Sequence, residues 1–158
     1  VGTNTLNWND TAPTSTVFTL GTSLTESGKV MMNYVFADVQ GYSKFSSYIG
    51  NGNVDGPFIY TGFRPAFIIV KRTDSTANWV LFSSPPTTQN QVSTVALFPN
   101  LTSAESTYDE VDFLSNGIKI RDASGTYNTS SATYLYAAFA QSPFVNSNGI
   151  PTNAQQAG

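Results

Sequence analysis

AFIIVK, residues 66–71, lies inside the run GYSKFSSYIGNGNVDGPFIYTGFRPAFIIVKRTDSTANWVLF (41–82), and its reading decides the fold. Apolar residues follow one another without the spacing of an amphipathic helix, and the run is short and rich in branched side chains. Such a segment reads as a strand covered on both faces, and so as a central one. Working outward, period-two alternation predicts strands near 15–20 (STVFTL), 29–37 (KVMMNYVFA), 57–61 (PFIYT), 66–72, 78–83 (NWVLFS), 92–98 (VSTVALF), 110–114 (EVDFL), 117–121 (GIKIR) and 132–140 (ATYLYAAFA). Turn formers separate them: Gly50–Gly52, Asp55–Pro57, Pro85–Pro86, Pro99–Asn100, Asn116–Gly117 and Gly125. Ser115-Asn116-Gly117 predicts a tight hairpin, because Asn-Gly tolerates positive φ. Thr102 to Glu105 has capping-box spacing, but no apolar run follows, so one helical turn is the most it supports. Many short strands at this spacing predict an all-β fold, an antiparallel two-sheet β-sandwich of jelly-roll or lectin-like type with almost no helix.

The composition narrows the function classes. Only 11% of the 158 residues are charged, so Ser, Thr and Asn must keep the surface wet, while 40% apolar content is enough for a core. The basic residues Lys29, Lys44, Arg64, Lys71, Arg72, Lys119 and Arg121 form no run, and the net charge is −3, which argues against nucleic acid as a partner. No window reaches the length of apolar sequence that membrane insertion needs. Residues from Val1 onward show no secretion signal and read as a start inside a longer polypeptide. Cys and His are both absent, which removes disulfides, thiolate metal sites and Ser/His/Asp catalysis together.

VMMNYVFA (30–37) echoes TYLYAAFA (133–140), down to the closing Phe-Ala at Phe36-Ala37 and Phe139-Ala140. A short strand pattern precedes each, VFTL (17–20) and IKI (118–120). Residues 1–40 therefore read as the closing hairpin of a preceding repeat or as N-terminal strands of the sandwich. Residues 41–145 read as the β-sandwich domain, and 146–158 as an extended C-terminal tail.

Acid–base chemistry without His falls to carboxylates: Asp109, Glu110 and Asp112, with Asp38, Asp55, Asp74 and Asp122 scattered. Glu110 and Asp112, two apart, share one strand face at roughly 7 Å, which fits a glycosidase pair but fits a solvated face better. NGNVDG (51–56) mimics half of a calcium loop with Asn51, Asn53 and Asp55 as oxygen ligands, yet the closing position holds Gly62. A polar turn is the better reading, so no metal and no cofactor is expected. Tyr42, Phe45 and Tyr48 stand in a mixed Ser/Gly segment, and Trp79 at a turn-to-strand junction. Tyr42, Tyr48, Arg64 and Trp79 are the candidate ligand-binding residues, with core packing the competing reading for the aromatics. Arg64, before Pro65, reads first as a turn residue paired with a carbonyl or with Asp55. Asn9, Asn100 and Asn128 match the N-glycosylation pattern, as chance predicts in a chain this rich in Asn, Ser and Thr.

Several segments together resemble a family: 41–74, LFPNLTSAES (97–106), VDFLSNGIKIR (111–121), YLYAAFAQSPF (134–144) and GIPT (149–152), preceded by WNDTAPTSTVFTLG (8–21). In order and spacing they are similar to the C-terminal repeat domain of tail-fibre and other virion-surface proteins of tailed phages, many of them marine. QSPF (141–144) departs from the acidic residue that often stands before that ending. The resemblance implies a non-enzymatic module on the virion surface. Its implied partners are copies of itself in a homotrimer or other symmetric oligomer, other virion proteins, and a host-surface glycan or protein. Head decoration and a carbohydrate-binding module of a secreted bacterial enzyme are the alternative expectations. The family has no established catalytic residues to carry over.

Overall fold

The computed structural model describes residues 9–25, 28–84, 92–93, 95–105 and 110–142. The chain divides into two compact units, Val1–Phe36 and Ala37–Gly158.

In the second unit, strand β3 (Pro65–Arg72) contains the AFIIVK run and lies at the middle of a five-stranded sheet. Its neighbours are β9 (Thr133–Ala140) and β4 (Val80–Ser83); β1 (Ser43–Ile49) forms one edge against β9, and β6 (Val95–Leu97) the other against β4. A second, four-stranded sheet runs β2 (Phe58–Tyr60), β8 (Gly117–Ile120), β7 (Val111–Leu114), β5 (Val92–Ser93). All pairings are antiparallel, and no helix occurs among the described residues. The protein is an all-β, two-sheet antiparallel sandwich, as its alternation requires.

The inward set follows from the pleat, which sends every second side chain to one face. One sheet contributes Ile68 and Val70, Val80 and Phe82, and Tyr134, Tyr136 and Ala138; the other contributes Ile59, Val111, Phe113, Ile118 and Ile120. Each buried aliphatic or aromatic side chain contributes about 1.5–3 kcal/mol of transfer free energy. The other face of β3 is half-covered rather than sealed. Phe67 stacks on Phe139 at 5.0 Å, and Phe45 meets Phe139 edge-on at 5.6 Å. This outer aromatic strip explains why AFIIVK lacks a polar face.

Five expectations change. The single strand expected at 92–98 divides between the sheets, β5 joining the four-stranded one and β6 the five-stranded one. Strand β1 was not anticipated, because Ser43, Ser46 and Ser47 interrupt the apolar alternation; its pairing with β9 from Ser43↔Phe139 to Ile49↔Thr133 makes it a strand. The strands expected near 15–20 and 29–37 do not form: the described residues there belong to no strand. In the first unit the chain makes local turns instead, with Thr14 N–H bonded to Val17 O at 2.9 Å and Leu24 N–H to Gly21 O at 3.1 Å. Residues 102–105 form no helical turn. The β7–β8 hairpin closes as expected, with Leu114 opposite Gly117, but neither Asn116 nor Gly117 has positive φ. Gly117 is required for another reason: a Cβ there would lie 2.2 Å from the carbonyl oxygen of Ile59 on β2. The tail 146–158 and Asp109 lie outside the described residues.

Candidate functional site

At one end of the second unit the β3–β4 loop (73–79), the β8–β9 loop (121–132) and the segment 50–57 emerge together. Antiparallel pairing of β3 with β9 causes this, and it extends past the strand ends, where Thr73 N–H bonds Thr133 O at 3.0 Å. Segment 50–57 is drawn in by Gly50 and Gly52, whose N–H groups bond Ala132 O and Asn128 O, both at 2.9 Å. A Cβ at Gly50 would lie 2.3 Å from Thr129 O, so glycine is the residue that permits this approach.

Between the loops opens a cleft of about 450 Å³ lined by Arg72, Thr76, Ala77, Asn78, Gly125 and Thr126. Arg72, the last residue of β3, is held on both sides: Nε bonds Asp74 Oδ1 at 2.6 Å and one terminal nitrogen bonds Thr129 Oγ1 at 3.1 Å. That hydrogen bond and the Arg72 charge outweigh partial burial and keep the Asp74 carboxyl below its ordinary range. Lys71 Nζ fastens the loop by donating to Ala77 O at 2.6 Å. Asn100 anchors the next stretch, donating to Asn78 Oδ1 and accepting the Trp79 N–H, both at 2.9 Å. Trp79 itself is 47% exposed. The cleft thus sets a guanidinium, an amide and hydroxyls close together on a braced frame, with the Asp74 carboxylate bonded to that guanidinium. Such a set donates and accepts hydrogen bonds simultaneously, which suits a polyhydroxylated ligand.

The candidate residues separate. Trp79 stands beside the cleft in sequence and is open to solvent. Tyr42 is partly exposed and touches Phe139 edge-on at 6.4 Å, on the outer aromatic strip and not at the cleft. Tyr48 is corrected to a core residue: it is buried, stacks on Tyr134 at 5.0 Å and donates its hydroxyl to Tyr127 O at 2.6 Å. Burial pushes its phenol well above the ordinary tyrosine range. Arg64 is a structural tie, bonding Gln141 Oε1 at 2.9 Å, the Phe113 carbonyl, and Ser84 Oγ at 3.3 Å. A carbonyl partner was the first reading of Arg64; Asp55 is not its partner.

The calcium reading of Asn51, Asn53 and Asp55 is also corrected. Asn51 Oδ1 accepts the Asn53 N–H at 3.0 Å, Asn53 Oδ1 accepts the Asp55 N–H at 2.9 Å, and Asp55 pairs with Lys119 Nζ at 2.7 Å. An ammonium occupies the charge position that a cation would need. Asp112 is likewise tied to Arg121 at 2.5 Å. Glu110 precedes β7 and lies with Asp122 around the Tyr127 hydroxyl, which donates to Asp122 Oδ2 at 2.9 Å. Burial raises the Glu110 pKa, the Tyr127 hydroxyl lowers it, and the Asp122 charge raises it again; the net direction is upward. Asn128, one of the glycosylation matches, is fully buried.

Arg72, Asn78 and Thr126 were missed in the sequence, where Asp74 stood only among the scattered carboxylates. The available signal was KRTDSTANW (71–79), a polar run directly after the central strand, where loops carried by a rigid sheet commonly hold function. No curated protein and no solved structure matches the chain. A family model described as "Domain of unknown function (DUF7483)" matches residues 1–143, across both units. The chain belongs to the DUF7483 family.

Proposed function

We propose that this protein is a non-enzymatic virion structural protein of a phage, a surface-exposed fibre module that contributes to host-surface attachment through glycan contact at the Arg72 cleft. The observation that carries this reading is the cleft itself: braced donors and acceptors, with the half-exposed Trp79 adjoining them in the chain. Aromatic faces beside hydrogen-bonding groups are the common chemistry of sugar contact, because pyranose rings offer both C–H faces and hydroxyls. Asp74, kept ionised by Arg72, is suited to accepting a sugar hydroxyl and not to donating a proton at neutral pH. The low charge, 11%, leaves a Ser/Thr/Asn-rich surface that suits an extracellular particle. Weak single contacts of this kind become firm attachment when a symmetric oligomer repeats them.

The test is retention of the full chain on host cells and on a glycan array, comparing wild type with Arg72→Ala and Trp79→Ala. Loss of about tenfold or more in either variant, with the fold intact by circular dichroism, is the expected result. Retention by neither the wild type nor its variants would turn the assignment towards head decoration.

A further inference from the structure

Residues 30–36 display an unusual amount of apolar surface: Val30 is wholly exposed, and Met31, Met32, Tyr34, Val35 and Phe36 are all more than half exposed. Apolar exposure on this scale, interrupted only by Asn33, marks a contact surface. Its sequence names the contact. VMMNYVFA (30–37) is the counterpart of TYLYAAFA (133–140), which is β9, the strand inserted between β1 and β3 and hydrogen-bonded on both sides. The echo places Met31, Asn33 and Val35 at the inward positions of Tyr134, Tyr136 and Ala138, and Phe36-Ala37 at Phe139-Ala140, the C-terminal end of β9. The structure supplies an independent mark at the same point, since the first unit ends at Phe36 and the second begins at Ala37. Upstream, VFTL (17–20) stands where IKI (118–120) of β8 stands in the complete copy.

We propose that residues 17–36 are the β8 and β9 counterparts of a second domain of this same fold, and that 30–36 is the strand inserted between that domain's β1 and β3. A domain of this fold without its last strand has two strand edges facing one gap. A segment that fills it satisfies backbone groups on both sides and buries apolar side chains on at least one face. That gain exceeds what pairing along a single outer edge provides. The order of elements, β8 then β9 then the next β1, makes the arrangement head-to-tail: each domain is closed by the segment that leads into its successor. This inference does not depend on the attachment reading.

Two experiments on the full chain decide it. In the first, residues 133–140 are replaced by VMMNYVFA, with a scrambled order of the same eight residues as control. The expected result is a cooperative thermal transition at reduced Tm for the replacement and none for the scramble. Equal behaviour of the two, folded or unfolded, overturns the proposal. In the second, a copy of residues 37–116, which carries β1 to β7, is fused ahead of the intact chain and amide exchange is followed at residues 30–36. Slowing by about a thousandfold relative to the unfused chain is expected. Unchanged exchange overturns the proposal. So does protection in the unfused chain that grows with protein concentration, which would make the occupant an intact second copy.

Discussion

The side-chain oxygen of Asn128 accepts the backbone N–H of Asn51 at 2.9 Å, joining two loops that are distant in sequence. The same amide donates to Asn53 O at 2.8 Å and to Asp122 O at 2.7 Å, so every polar atom of this fully buried side chain is matched. The pairing holds segment 50–57 against the β8–β9 loop, whose residues Gly125 and Thr126 line the cleft. Asn128 therefore determines the shape of the candidate site without touching it.

Asn128→Asp keeps the volume but sets a carboxylate oxygen against two carbonyl oxygens. Loss of about 3 kcal/mol or more at neutral pH is expected, because an uncompensated buried charge costs that much. Part of it should return as pH falls and the acid form regains one donor. Urea unfolding at pH 7 and pH 4 measures both effects.

Gly117→Ala should separate β2 from β8. The new Cβ would meet Ile59 O at 2.2 Å and the Ile59 carbonyl carbon at 3.1 Å, and backbone cannot swing aside as a side chain can. A loss of about 2 kcal/mol or more is expected, with amide protection at Phe58–Tyr60 falling first.

Tyr48→Phe and Trp79→Ala should behave as opposites. The first removes a buried hydroxyl and strands the Tyr127 carbonyl, costing about 1–2 kcal/mol while leaving ligand retention unchanged. The second should leave stability within about 0.5 kcal/mol, as at other open surface positions, and weaken retention. A thermal melt beside a binding assay on each variant makes the comparison.

Glu110 gives a pH dependence of known sign. Its folded pKa is raised from 4.5, so between that value and the raised one the folded chain holds more proton than the unfolded chain. Stability from this group is complete below about pH 4.5 and falls as pH rises through the window. Glu110→Gln should match wild type at pH 4 and exceed it at pH 7. A gap of the opposite sign in urea melts would contradict the Glu110–Tyr127–Asp122 arrangement. Asp74 acts in reverse: its lowered pKa gives stability that is present above 3.8 and lost as pH falls.

Much of the sandwich was legible. Alternation marks β2, β4, β7, β8 and β9, and the unbroken AFIIVK run marks β3 as central, because those patterns follow from how a pleated strand meets a core. Strand β1 was hidden, since an edge strand with Ser43, Ser46 and Ser47 lacks the periodic signal and is defined by β9 beside it. The reverse error occurred at 29–37, where a strong strand pattern forms no strand. The cleft was illegible for a related reason: Arg72 and Thr126 become neighbours only through the antiparallel pairing of β3 with β9.

Residue pattern alone determined the all-β character, the two-layer architecture and the absence of thiol and imidazole chemistry, because each depends on residue type and local period. Tertiary structure decided that Tyr48 is core while Trp79 is surface, that Arg64 is a tie, and that Arg72 opens onto a cleft. Burial and partnership belong to contacts between residues distant along the chain, and no local window encodes which of them will meet.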